Sequence, residues 1–228
     1  MPRGVVPVIP TPFTEDEEFD PPALRHLVDF AASAGAGDLP SCYGGEFYKF
    51  TRAERCSVVK TSVEQCHGRV LVIAQSNHVC TRSAEEIARR NEALGADLIA
   101  LALPRQFASS EEELLRFSEK VSKAVSVPVL IQDFNPGGPS VGPSFAKRLH
   151  EVAENFRYLK LEEPVVGAKI RAIRETTQGR VGIFEGGVGC TYLTCFPTEF
   201  QEPYLVWPFA TCSCGYLNLP TRGRAKQQ

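Results

Sequence analysis

Short β-rich runs alternate with amphipathic helical stretches along most of this chain, and that alternation limits its possible folds more than any other feature. Seven runs read as strands: residues 5–9, 38–43, 70–74, 98–103, 129–132, 158–161 and 181–184. Their starts recur roughly every 30 residues, the length of one strand–helix–strand step. Between them lie segments with helical spacing. Residues 21–35 put Leu24, Leu27, Val28 and Ala31 on one face and end at Gly35. Residues 83–97 open with a serine cap and early acids, turn Ile87, Ala88 and Leu94 inward, and stop at Gly95. Residues 109–125 repeat the design with Leu114, Leu115, Phe117 and Val121, and residues 142–154 and 164–179 supply two more helices. Strict alternation of this kind predicts a parallel sheet covered by helices. The first strand-to-helix turn carries no GxGxxG, so an open dinucleotide-binding sheet has no support. Seven near-regular units favour an α/β fold of the TIM (β/α)8 type, incomplete at about seven β/α units.

After Gly189 the pattern breaks. The last 39 residues hold four prolines, four cysteines and the only Trp, with no sustained period. The chain therefore divides into a β/α barrel over 1–189 and an irregular tail over 190–228, which reads either as an irregular C-terminal segment of a natural protein or as a segment foreign to the barrel, from alternative splicing or a shifted frame. No eighth strand or final helix is expected from it.

Composition excludes several functions. The net charge of −2 over 228 residues lacks the basic footprint of a nucleic-acid binder. No apolar run approaches the ~20 residues that span a bilayer, and the proline-rich start does not read as a secretory signal. A cytoplasmic protein is expected, with its eight cysteines as thiols. The four histidines, at 26, 67, 78 and 150, form no HxH or HExxH pair, and Cys212-Ser213-Cys214 lacks a second ligand pair at zinc spacing. Neither a metal nor a cofactor is expected.

Barrels of this type place chemistry at the C-terminal ends of their strands. In Tyr158-Leu159-Lys160-Leu161-Glu162 the alternation sends the two leucines to one face and Tyr158, Lys160 and Glu162 to the other. If the leucines pack on helices, Lys160 points into the barrel. Burial there disfavours the ammonium form, and a neutral amine attacks carbonyls to form a Schiff base. Leu101, Leu103, Leu130 or Ile131 would supply its apolar surroundings. A strand-end lysine that snorkels to solvent is the plain alternative. Gly44 and Gly45 allow close approach of a ligand, and Glu46 just beyond them is an acid/base or a structural carboxylate. Gln132 and Asp133 end an apolar strand where substrate would be met. Gly186 and Gly187 can present amides to a carboxylate or phosphate.

Together these pieces resemble a known family. Gly4-Val5-Val6-Pro7 through Thr11-Pro12-Phe13, Gly45-Glu46-Phe47 with Thr51-Arg52-Ala53-Glu54-Arg55, Asn91-Glu92-Ala93-Leu94-Gly95-Ala96-Asp97 and Lys160 are similar, as an ordered set over roughly residues 4–189, to the dihydrodipicolinate synthase/N-acetylneuraminate lyase family. The resemblance implies a TIM barrel, a homo-oligomer, and class I aldolase or dehydratase chemistry on a 2-oxo acid with Lys160 as the Schiff-base lysine. It also implies departures. Cys42-Tyr43-Gly44-Gly45-Glu46 stands where the family has glycine-threonine-threonine-glycine-glutamate. Gln132 stands where it has a catalytic tyrosine, Gln106 lies near the place of a second, and Gly137 or Gly138 near that of a substrate-binding arginine. Glutamine cannot shuttle a proton as a phenol does. The synthase reaction itself is therefore not expected, and Glu46, Asp133 or an ordered water would have to move protons. A lyase of a divergent branch is the first reading. A non-catalytic variant that binds a metabolite or a protein partner is the second.

Overall fold

The computed structural model describes residues 5–34, 38–41, 43–135, 138–163, 166–186 and 204–207. Strands β1 (Val5–Pro7), β2 (Asp38–Ser41), β3 (Leu71–Gln75), β4 (Leu98–Ala102), β5 (Val129–Asp133), β6 (Phe156–Leu161) and β7 (Gly182–Glu185) fall on the seven expected runs. All their ladders are parallel, and with an eighth strand, β8 (Tyr204–Trp207), the sheet runs β1-β8-β7-β6-β5-β4-β3-β2. β1 also lies against β2, so the sheet curls into a TIM-type barrel.

β8 (Tyr204–Trp207) corrects the expectation for the tail. It pairs in parallel with β1, Val5 opposite Leu205, and with β7, Phe184 opposite Tyr204. The four-residue run Tyr-Leu-Val-Trp is too short to show a period. A sheet with β1 and β7 as open edges supplies what the local sequence does not, a backbone partner on either side. Among the described residues no helix follows β7. No described helix is long and apolar enough to cross a membrane.

Six α-helices cover the described sheet: α1 (Pro21–Ser33), α2 (Arg52–Cys66), α3 (Thr81–Ala93), α4 (Glu111–Ser122), α5 (Pro143–Val152) and α6 (Gly167–Thr176). Leu24, Val28 and Ala31 of α1 are buried as their spacing predicts, whereas Gly35 lies outside the described residues. α2 was not foreseen, because its apolar residues do not form one clear stripe. Its start is nonetheless written in a capping box: Thr51 accepts from the Glu54 amide while the Glu54 carboxylate accepts from the Thr51 amide. Ser110 and Glu113 do the same for α4. α3 starts earlier than expected, with Cys80 rather than a serine at its N-cap. Its end is as predicted: Gly95, at φ 96°, takes the left-handed turn that glycine makes without strain.

Strand alternation sorts the core into two layers. Ile99, Leu101, Ile131, Leu159, Leu161 and Ile183 face the helices, where Leu114, Phe117, Phe145, Leu149 and Ile173 meet them. Val6, Val8, Ile73, Leu98, Ala100, Leu130, Tyr158 and Phe184 face inward and fill the barrel. Tyr158 lies so close over Gly182 that a Cβ there would come within 2.8 Å of its ring, and its ring meets Phe184 edge-on at 5.5 Å. These inward residues make an apolar floor beneath the C-terminal strand ends.

Candidate active site

One step further along the inward-facing rows, the residues turn polar. Gln75 follows Ile73 on β3, Gln132 follows Leu130 on β5, and Lys160 and Glu162 follow Tyr158 on and just past β6. Gln132 and Lys160 are register partners across β5 and β6. Lys160 is 7% exposed, and its Nζ stands 2.6 Å from Glu162 Oε1. The same carboxylate oxygen accepts from Gln132 Nε2 at 2.8 Å, and Gln132 Oε1 accepts from Gln75 Nε2 at 3.0 Å. The two amides meet across β4, where the inward residues Ala100 and Ala102 are small enough to let them pass.

Gly186 packs directly on this pair. A Cβ there would come within 2.6 Å of both Lys160 Cε and Glu162 Cγ, and its amide donates to Leu161 O at 2.9 Å. A side chain at 186 would displace the lysine. Tyr43, in the 3₁₀ turn Tyr43–Gly45 after β2, lies at the rim against Phe47 and Phe134, with ring centroids 5.0 and 6.3 Å away. Burial pushes its phenol above the usual tyrosine range, and the Glu162 charge adds to the shift.

The site thus brings together Lys160, Gln132 and Gly186 of the residues singled out from sequence. Of the apolar neighbours named for Lys160, only Leu130 shares its face. Leu101, Leu103 and Ile131 belong to the outer layer, since each lies an odd number of residues from the inward row. Asp133 lies on the other face as well. It is fully buried, accepts both Nε and Nη2 of Arg105 at 2.9 and 2.8 Å, and takes the Val141 amide. This ion pair fastens the β4 exit to the β5 exit instead of facing Lys160. Glu46 holds a left-handed conformation at φ 59° and pairs with Lys49 at 2.6 Å. Gly44 and Gly45 have packing reasons for being glycine: their Cβ positions would fall 2.7 Å from Val8 Cγ1 and 3.2 Å from Ile9 O. Thr11 Oγ1 also donates to Gly45 O, tying that turn to the segment that follows β1. Gly187 and Cys42 lie outside the described residues.

Sequence reasoning did not single out Glu162 and Gln75 as site residues. Glu162 was legible as the next inward position after Lys160, and Gln75 as a polar end to an apolar strand, the same signal that marked Gln132. Among the described residues no group of three or more His, Cys, Asp or Glu side chains is placed to hold a metal ion.

Residues 1–194 match the model of the Dihydrodipicolinate synthetase family. The chain is 30% identical over 178 residues to the L-2-keto-3-deoxyarabonate dehydratase of Azospirillum brasilense, covering 75% of this chain and 57% of that protein. It is 32% identical over 186 residues to the 4-hydroxy-tetrahydrodipicolinate synthase of Chlorobium luteolum, covering 80% and 58%. It spans less than two thirds of the length of these relatives. Among solved structures, YagE of Escherichia coli K12, in complex with pyruvate, superposes with a TM-score of 0.78 at 25% identity, over 90% of this chain and 69% of that one.

Proposed function

The chain belongs to the dihydrodipicolinate synthetase family, whose relatives include class I aldolases and dehydratases, and on that premise we propose that it acts on a 2-oxo acid through a Schiff base on Lys160. The observation that carries this reading is a lysine on the inner face of β6, 7% exposed above an apolar floor, with a carboxylate 2.6 Å from its nitrogen. Glu162 takes the proton that Lys160 must lose before it attacks, at a distance suited to direct transfer. The amine adds to the oxo carbon, water leaves, and the protonated imine draws electrons from the neighbouring carbon. In an aldol cleavage the C3–C4 bond then breaks as the C4 hydroxyl gives up its proton and becomes a carbonyl, leaving an enamine; in a dehydration a proton leaves C3 to form the enamine, and the C4 hydroxyl takes up a proton and departs as water. Gln132 orients Glu162 through its amide and moves no proton itself. Tyr43 brings a phenol to the rim of the same site, in the segment where the family's threonines are missing.

In this reading the protein is a cytoplasmic homo-oligomer that needs no metal or cofactor. The test is incubation with pyruvate and borohydride followed by peptide mass mapping. The expected result is a stable adduct on Lys160 that Lys160→Ala abolishes. A folded sample that gives no adduct with several 2-oxo acids would instead favour a non-catalytic, metabolite-binding variant. Light scattering on the purified chain tests the oligomer.

A further inference from the structure

Two aromatic rings meet at the mouth of the barrel from strands that are not neighbours. Tyr43 follows β2 and Phe134 follows β5, with β3 and β4 between them in the sheet, yet their ring centroids stand 6.3 Å apart. Tyr43 is held from behind. It meets the buried Phe47 edge-on at 5.0 Å, the Arg55 guanidinium lies 4.9 Å over the Phe47 ring, and Arg55 Nη1 donates to Asn77 O at 3.2 Å. Phe134 ends this row and is 46% exposed. A ring fixed in this way offers apolar surface that a ligand covers with little further loss of conformational freedom.

The ladder ties Phe134 to the lysine. Gln132 lies opposite Lys160 and Asp133 opposite Leu161, so Phe134 follows at the level of Glu162, and alternation puts it on the side of Gln132. Glu162 joins the two ends of the site, because its Oε1 stands 2.6 Å from Lys160 Nζ and its charge also acts on the Tyr43 phenol. Side chains two apart on one strand face are separated by about 7 Å, and an extended 2-oxo acid carries a ring on C4 with its centre about 6 Å from a nitrogen bound to C2. The polar groups below the rings are committed to one another: Lys160 to Glu162, Glu162 to Gln132, and Gln132 to Gln75. Gln75 Oε1 and Asn77 Nδ2 have no partner among the described residues, but both are shut off from solvent. On this side of the mouth the described residues therefore offer an incoming group aromatic faces and not open donors or acceptors.

The geometry points to Tyr43 and Phe134 as an aromatic subsite that selects 2-oxo acids bearing an aromatic ring at C4. The ligand's ring packs on the exposed side of Phe134, offset or edge-on, while Tyr43 braces Phe134 from the other side. This inference rests on the Lys160 reading and goes beyond it in naming what the rim selects.

The test measures the concentration of acid that gives half-maximal borohydride trapping on the Lys160 peptide. The probes are 2-oxo-4-phenylbutanoate, 2-oxobutanoate, which lacks only the ring, and 4,5-dihydroxy-2-oxopentanoate, which carries hydroxyls in its place. Adducts of the intact acid and of any product released from it are counted together. In the wild-type chain the phenyl acid is expected to half-saturate at an about tenfold lower concentration than either of the others, the effect of one ring covered by aromatic surface. Phe134→Ser should bring the phenyl acid and 2-oxobutanoate to within about twofold of each other, both measured on that variant. Phe134→Ala serves if the serine variant does not fold. Equal half-saturation of these two acids in the wild-type chain, or tighter trapping of the dihydroxy acid, overturns the inference with no variant needed. So does a ratio that survives in the Phe134 variant, and so does loss of all trapping in a folded variant, which would make Phe134 a support for the lysine instead. Failure of all three acids and of pyruvate to modify wild-type Lys160 overturns the Schiff-base reading, and this inference falls with it.

Discussion

Two buried ion pairs at the C-terminal strand ends, Lys160–Glu162 inside the ring and Arg105–Asp133 outside it, differ in a way that separates reactivity from architecture. Gln132, which braces the inner pair, and Asp133, which forms the outer one, are neighbours in sequence. One step along β5 carries the chain from the barrel interior to the helix layer. The outer pair is a two-pronged bond between a planar guanidinium and a carboxylate with no exposed surface, and the Val141 amide adds a third contact. Such a pair is rigid, and its charges stay where they are. The inner pair joins a flexible four-carbon stem to one carboxylate oxygen that Gln132 also uses. An ammonium on such a stem can pass its proton to its partner and turn toward a ligand, which a guanidinium does not do.

The sharpest test of this contrast exchanges the losses. Lys160→Ala should remove all trapping of 2-oxo acids and leave a folded barrel, read by circular dichroism. Asp133→Ala should do the converse, leaving Arg105 without its counter-charge and costing about 3–5 kcal/mol in urea denaturation. A stable Asp133→Ala protein would show the outer pair to be dispensable and break the comparison. Gly186→Ala sharpens it on the inner side. The new methyl would lie 2.6 Å from Lys160 Cε, and a lysine displaced by about 1 Å should form its imine roughly 100-fold more slowly while stability changes little.

Glu163 offers a smaller, pH-dependent contrast. It pairs with Lys169 at 2.5 Å and accepts from the Ser140 amide, bridging the β5 and β6 exits. Burial alone would raise its pKa, but the bonds to Lys169 and Ser140 outweigh burial and hold the carboxyl below the usual range. A depressed carboxylate stabilises the fold above its unfolded pKa of about 4.3, and that contribution is lost as pH falls through the lower folded value. Glu163→Gln should therefore flatten the acid side of the stability profile and leave the neutral side displaced downward. The smallest effect is in thiol chemistry. Burial pushes Cys66 up to about 11, whereas the exposed Cys80 is lowered, chiefly by its bond to the Ser83 amide. Alkylation at about pH 8 followed by peptide mapping should label Cys80 well before Cys66.

Much of the site was legible before the fold was known. The Leu-Lys-Leu alternation of β6 was enough to turn Lys160 inward, because a strand has a period of two and the leucines had helices to meet. The same rule, which put Glu162 on the face of Lys160, puts Asp133, Leu101 and Ile131 on the outer face when it is carried to the neighbouring strands. The glycines after β2 carried no such signal. Gly44 yields to Val8 and Gly45 to Ile9, contacts between segments more than 30 residues apart. α2 went unseen because its apolar residues are spread around the helix, although its capping box was readable.

By itself, then, the sequence determined the alternating barrel, the inner and outer faces of its strands, and an inward lysine, all of which follow from local periodicity. Only the tertiary structure decided what that lysine meets. The bond from Gln75 to Gln132 spans 57 positions and exists because two alanines on β4 let the amides cross. The place of Tyr204–Trp207 between β7 and β1 comes from backbone edges far away in sequence. Such contacts depend on closure of the ring, which brings distant strands side by side and which no local pattern encodes.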